Sequence, residues 1–400
     1  MGVVCWFAVD QPTGWDFAVT QRAIHSLRNG TDPYLNDIAA QNAYLQTAAA
    51  QRGDPRPFVY VYPPITLQGL RAIAAAPDKA VKFIYWTFYV LMVLAQLLVA
   101  RRLAMPHEKY VADLLAPLPL FFPGLLLFDS VLGGNIAFIL FGLIFLAAWR
   151  GWTRGHWAWF YAAVFLASCV KVPYLTLLAI PLLSAPRQWL SASAIAAAGL
   201  ALFAMQIRLW PVSFRNYLQA TNRMFSFNHD FGSGPAGRVG ASLAALHLPS
   251  TLPSVLFYLV ASLTIFFGLY RLSRAYRRGY LTREQWIPLM MVGVLLLNPR
   301  LIEYEIFPFT FFMAIIGYRL IAATKRPRLT GAIVLLVWVA ANCAAEISRV
   351  FWRNCECALL VSLFLLGYRQ VRRVAGQNAS LEPAAAYLDA TKVVGSASTV

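Results

Sequence analysis

Asp16 opens the stretch DFAVTQRAIHSLRNG, where a carboxylate has two natural uses. It can cap the helix expected from Phe17, Ala23, Ile24 and Leu27, which fall near one face and run to the stop signal Asn29-Gly30. It can also act as a general base, because a cap position fixes a carboxylate at a helix start. Lys171, in SCVKVPYLTLLAIPLL, stands between two short apolar runs. A cation there costs about 2.5–3.5 kcal/mol at helix centre unless it snorkels or finds a partner, and a lipid phosphate is a natural one. The segment LLLNPRLIEYEIFPF crowds Asn298, Arg300, Glu303 and Glu305 into one turn. Arg300 can fork onto a phosphate or pair with Glu303.

Three further stretches carry polar or aromatic groups at apolar boundaries. RPFVYVYPPITL places Tyr60 and Tyr62 before Pro63 and Pro64, a stiff corner that reads as an interfacial anchor or as a wall for a sugar ring or lipid headgroup. LFDSVLGGNIAFILFG sets Asp129 and Asn135 around Gly133-Gly134, which turn chemistry alone explains. NRMFSFNHDFGSG adds His229 and Asp230, a weak pair on a loop.

The elements that must position these groups are helices in a membrane. Of 400 residues, 59% are hydrophobic and only 13% charged, against about 25% in soluble domains. Apolar runs at about 83–100, 111–128, 131–149, 157–170, 173–183, 189–207, 252–270, 285–298, 305–321, 329–345 and 355–368 predict an all-α, polytopic transmembrane bundle of about 11 spans. The pair 157–170 and 173–183, interrupted by Pro173, is short and broken, as helices lining a cavity at membrane depth often are.

The net charge of +17 does not point to nucleic acid. The basic residues form short clusters between apolar runs: Arg101-Arg102, Arg150 with Arg154, Arg271 to Arg283, Lys325 to Arg328 and Arg369 to Arg373. By the positive-inside rule these clusters are cytoplasmic, which puts 10–80, 208–251, 299–304 and 346–354 on the outer side. Residues 1–370 then form one membrane-embedded domain with long outer loops at 10–80 and 208–251, and 371–400 reads as a disordered cytoplasmic tail. The opening MGVVCWFAV is half a span without the marks of a signal peptide, so a first helix upstream is expected. The five cysteines show no zinc spacing and no structural disulfide.

These pieces, in this order, resemble the GT-C superfamily of polyprenyl-phosphate-sugar-dependent membrane glycosyltransferases, in particular the bacterial, mannosyltransferase-like family GT87. The resemblance rests on DFAVTQRAIHSLRNGTDPY, FVYVYPPITL, LGGNIAFILFGLIFLA, VKVPYLTLLAIPLL and LNPRLIEYEIFPF, from about residue 14 to about 320. It implies a GT-C-like bundle in the bacterial inner membrane. Such an enzyme moves a hexose from a polyprenyl-phosphate donor to a lipid, glycan or protein hydroxyl at the extracytoplasmic face, with inversion. Asp16 would be the catalytic base, and Lys171 and Arg300 would hold the donor phosphate. Tyr62, Asn135, Asn298 and His229 complete the candidate binding set.

The chemistry asks for the same parts. Phosphate is already a good leaving group, so one base within ~3 Å of the acceptor hydroxyl and one cation on the departing phosphate suffice. No cofactor is expected, and without an Asp-x-Asp cluster in an outer loop metal independence is expected too. Two rivals predict other residues. A lipid or glycan flippase needs Lys171 but not Asp16, and a polysaccharide polymerase or ligase would rest on Arg215, Arg223, Arg238 and His229 of the 208–251 loop.

Overall fold

A computed structural model describes residues 14–47, 58–109, 113, 133–226, 231–347 and 349–396. It is all-helical, with no strand among the described residues. The first four helices are α1 (Trp15–Arg28), α2 (Pro33–Leu45), α3 (Pro64–Ile73) and α4 (Asp78–Arg102). Then come α5 (Ala137–Arg154), α6 (Ala158–Val170), a 3-10 turn (Val172–Leu178), α7 (Ala179–Ser184), α8 (Trp189–Leu209), α9 (Pro211–Ser226) and α10 (Pro235–Ala245). The last third holds α11 (Thr251–Arg277), α12 (Arg283–Leu295), α13 (Glu303–Ile306), α14 (Thr310–Ala322), α15 (Pro327–Ile347) and α16 (Arg349–Ser396).

Among the described residues six helical segments are long and apolar enough to cross a membrane, where eleven spans are expected along the whole chain: α4, α5, α8, α11, Tyr304–Ala322 and Val350–Ser380. The difference has a physical cause. The runs at 157–170, 173–183 and 285–298 fold as helices of 6 to 13 residues with a 3-10 turn between two of them, too short for a 30 Å core. In α12 every residue from Trp286 to Leu295 is buried, so it is apolar because it is enclosed by protein. The run at 111–128 lies, apart from residue 113, outside the described residues. The tail expected to lack structure from 371 instead continues α16, because Val371 and Ala375 extend its buried face and Asn378 Nδ2 donates to Tyr280 O at 2.8 Å.

Two packed bodies result. The bundle core runs through α4, α5, α6, α12 and α14, with Phe141, Phe145, Phe309 and Phe312 interlocked edge to face. At Gly142 the backbones of α4 and α5 nearly touch: an added Cβ would lie 2.7 Å from Met92 O. A smaller cap joins α1, α2, α3, the 58–62 segment and α9 around Tyr34, Tyr60 and Tyr62. The segment read as one short helix in a long loop is thus three helices, tied down by polar pins. Tyr34 OH donates to Tyr62 O at 2.6 Å, and buried Asp37 accepts from Tyr60 N–H at 2.8 Å. Burial raises the Asp37 carboxyl above its ordinary range, although Arg22 and that N–H pull it down. Arg28 joins α1 to the start of α4 through Asp78 Oδ1 (2.6 Å) and Ala76 O (2.7 Å).

Candidate functional site

Asp16 is not the cap of its helix. Gly14 takes that place, and Asp16 stands in the first turn of α1, where a carboxylate also suits the helix dipole. Its Oδ2 accepts from Asn135 Nδ2 at 2.9 Å. Asn135, 1% exposed, is oriented by its other end: its Oδ1 accepts from Ala137 N–H at 2.9 Å as α5 begins. A backbone N–H requires the amide oxygen, so the amide nitrogen is left facing Asp16.

The turn before Asn135 is locked to α1 and α4. Phe17 N–H donates to Gly133 O at 3.2 Å, and Tyr85 OH donates to Gly134 O at 2.6 Å. Gly134 has φ +65°, and a Cβ there would meet the Trp86 ring at 3.0 Å and Phe17 Cβ at 3.1 Å. Gly134→Ala is therefore expected to cost about 1–2 kcal/mol through left-handed strain alone, and to unseat Asn135 from Asp16. A thermal melt of the purified variant beside its transfer rate checks this; an unchanged melt would mean that the turn gives way freely.

Lys171 sits where α6 stops. Pro173 has no N–H for the carbonyl of Cys169, which accepts instead from Thr66 Oγ1 of α3 at 3.4 Å. Lys171 is extended (φ −147°, ψ 115°), between α6 and the 3-10 turn. Its side chain, 16% exposed, reaches Glu305 Oε1 at 3.3 Å and Tyr304 OH at 3.2 Å. The ammonium also lies 4.3 Å from the Tyr304 ring centre and 5.9 Å from that of Tyr62. The cation for which a lipid phosphate is the expected partner thus has a carboxylate within the chain.

Asn298 repeats the device of Asn135. Its Oδ1 accepts from Arg300 N–H at 3.1 Å, and its Nδ2 donates to Glu305 Oε2 at 3.2 Å. Glu305, 5% exposed, is held between Lys171 and Asn298. The Arg300 guanidinium lies 5.6 Å over the Phe225 ring at the end of α9. The 231–234 strip seals this side: Ser233 N–H donates to Leu301 O at 2.6 Å, and a Cβ on Gly232 would strike that oxygen. His229, Asp129 and the Glu303 side chain lie outside the described residues.

Tyr62 connects the two halves. Burial drives its phenol well above its ordinary range, and the Asp16 charge adds to that, while its ring faces Lys171. The candidates Asp16, Asn135, Tyr62, Lys171 and Asn298 are therefore gathered at one end of the bundle with Arg300 at its margin. The partners that sequence reasoning passed over, Tyr304 and Glu305, were signalled by the rule that a cation at membrane depth needs a counter-charge. Among the described residues no group of three or more His, Cys, Asp or Glu could hold a metal.

The basic clusters mark the far end of the same helices. α4 starts beside Tyr85 and finishes at Arg101-Arg102; α5 starts beside Asn135 and finishes at Arg150 and Arg154. At that far end Arg319 forks onto buried Glu108 at 2.6 and 2.8 Å.

Compared with known proteins, the chain matches the model of glycosyltransferase family 87 over residues 60–299, a stretch that holds Tyr62, Asn135, Lys171 and Asn298 but leaves Asp16, Arg300, Tyr304 and Glu305 on its flanks. No curated protein and no solved structure matches it. With more than half of its length matched, and with helices fit to cross a membrane, the chain belongs to glycosyltransferase family 87 and is a membrane glycosyltransferase.

Proposed function

We propose that this enzyme moves a hexose, mannose-like, from a polyprenyl-phosphate donor to a hydroxyl of a lipid or glycan acceptor, with inversion. The observation that carries the reading is the pairing of an amide-oriented carboxylate, Asp16, with a caged cation, Lys171, at one end of a membrane bundle. Asp16 takes the proton of the acceptor hydroxyl as its oxygen attacks the anomeric carbon from the face opposite the phosphate. The bond to the phosphate breaks, and the phosphate leaves with the electron pair onto Lys171, with Arg300 as a second cation. Tyr62 and Tyr304 supply ring faces beside that position, and Asn135 and Asn298 keep the two carboxylates aimed.

The arginine clusters at the opposite helix ends support an inner-membrane enzyme whose site faces the extracytoplasmic side. Family membership sets aside the flippase reading, and no described geometry favours a polymerase. Purified full-length enzyme should transfer radiolabelled mannose to extracted membrane acceptors from polyprenyl-phosphate mannose and not from a nucleotide sugar. The anomeric configuration of the product should be opposite to the donor's. Equal use of the nucleotide sugar, or retained configuration, would defeat the proposal.

A further inference from the structure

At the arginine end, remote from the candidate site, a cavity of about 500 Å³ opens between α11 and α16. Arg271 and Arg274 come from one stripe of α11, Arg278 follows at its C-terminal cap, and Arg372 faces them from α16. Ala275, Gly376 and Ala379 keep the groove open, and Tyr280 and Tyr368 complete its wall. Among the described residues no carboxylate lines it. Four guanidiniums around one hollow repel one another, and a phosphate group with bidentate geometry relieves that repulsion better than water does.

The surroundings say what carries the phosphate. α11 is the barest of the six spanning helices, with only 6% of its apolar window buried by protein. Val260, Phe267 and Arg274 succeed one another at heptad spacing, and Val260 and Phe267 are 66% and 61% exposed. An uncovered apolar stripe therefore runs straight into the basic hollow, as an acyl chain runs from its headgroup. Tyr258, which bonds Leu297 O at 2.8 Å near the candidate site, lies at the other end of this helix, roughly 25 Å from Arg274 at 1.5 Å per residue. The hollow cannot share its ligand with Lys171.

We infer that this cavity binds the headgroup of an anionic phospholipid of the leaflet at the arginine end, with its acyl chains along α11. The test is native mass spectrometry of the full chain in nonionic detergent, titrated with phosphatidylglycerol, with phosphatidylcholine of the same acyl chains, and with inorganic phosphate. Phosphatidylglycerol should bind at least tenfold more tightly than phosphatidylcholine, and R271Q/R372Q should remove that preference. Both side chains are exposed, so the variant should fold as wild type does. R326Q/R328Q, which neutralises an exposed basic cluster outside the cavity, should keep the preference. No preference, a preference that survives in R271Q/R372Q, or one lost equally in R326Q/R328Q would overturn the inference. So would complete displacement of phosphatidylglycerol by millimolar phosphate, which would make the ligand a free anion.

Discussion

Asp16→Asn is expected to fold as wild type does and to lose transfer activity by about a hundredfold or more, the range for removing a general base. The amide keeps the shape of the carboxylate, and its oxygen still accepts from Asn135 Nδ2, which Ala137 N–H holds in place. What goes is the charge. In the first turn of α1 that charge is worth about 0.3–1 kcal/mol against the helix dipole, a small change in the melt. A structural role thus predicts a slightly less stable, fully active protein, and a catalytic role predicts the reverse weighting. The check is to restore wild type or Asp16→Asn, at matched membrane levels, to a host lacking the gene, and to compare the sugars of its extracted glycolipids and surface polysaccharide. A sugar recovered equally by both would reduce Asp16 to a helix-stabilising residue.

How far the sequence carried this site depends on the kind of signal. Local chemistry was legible: Pro173 announced the break that exposes Lys171, and Gly133-Gly134-Asn135 announced a tight entry to a helix. The helix stop at Asn29-Gly30 is present too, with Gly30 at φ +69°. The helix cap falls two residues before Asp16, at Gly14, and a boundary shift of that size leaves no trace in composition. Partners distant in sequence were harder. Glu305 stood in view among four polar residues of one turn, but only folding shows that its carboxylate meets Lys171. Hydropathy measures apolarity and not what surrounds it, so a buried helix and a bare one are counted alike as spans. α12 is enclosed by protein and α11 is left almost bare by it, and both read as apolar runs. The tail misread arose the other way, since arginines mask the buried seam of Val371 and Ala375.

Lys171→Met should raise the donor KM, but as a single change it cannot be read cleanly. Glu305, 6% exposed at its side chain, would be left charged and without its cation, which costs on the order of 3–5 kcal/mol for a buried pair. The variant would be poorly expressed whatever Lys171 does. Lys171→Met/Glu305→Gln removes both charges, and the new amide oxygen can still accept from Asn298 Nδ2, so stability should return toward wild type. If Lys171 holds the donor phosphate, the double variant should fold and still show a donor KM at least tenfold higher, since a hydrogen bond to a charged group contributes about 1.5–3 kcal/mol. If the lysine serves only to neutralise Glu305, the KM returns with the stability and the assignment fails. Glu305→Gln alone separates the two further. It frees the ammonium from its internal carboxylate while Tyr304 still holds it at 3.2 Å, so donor KM should fall or stay level. A rise in KM there would mean that Glu305, and not Lys171, touches the donor.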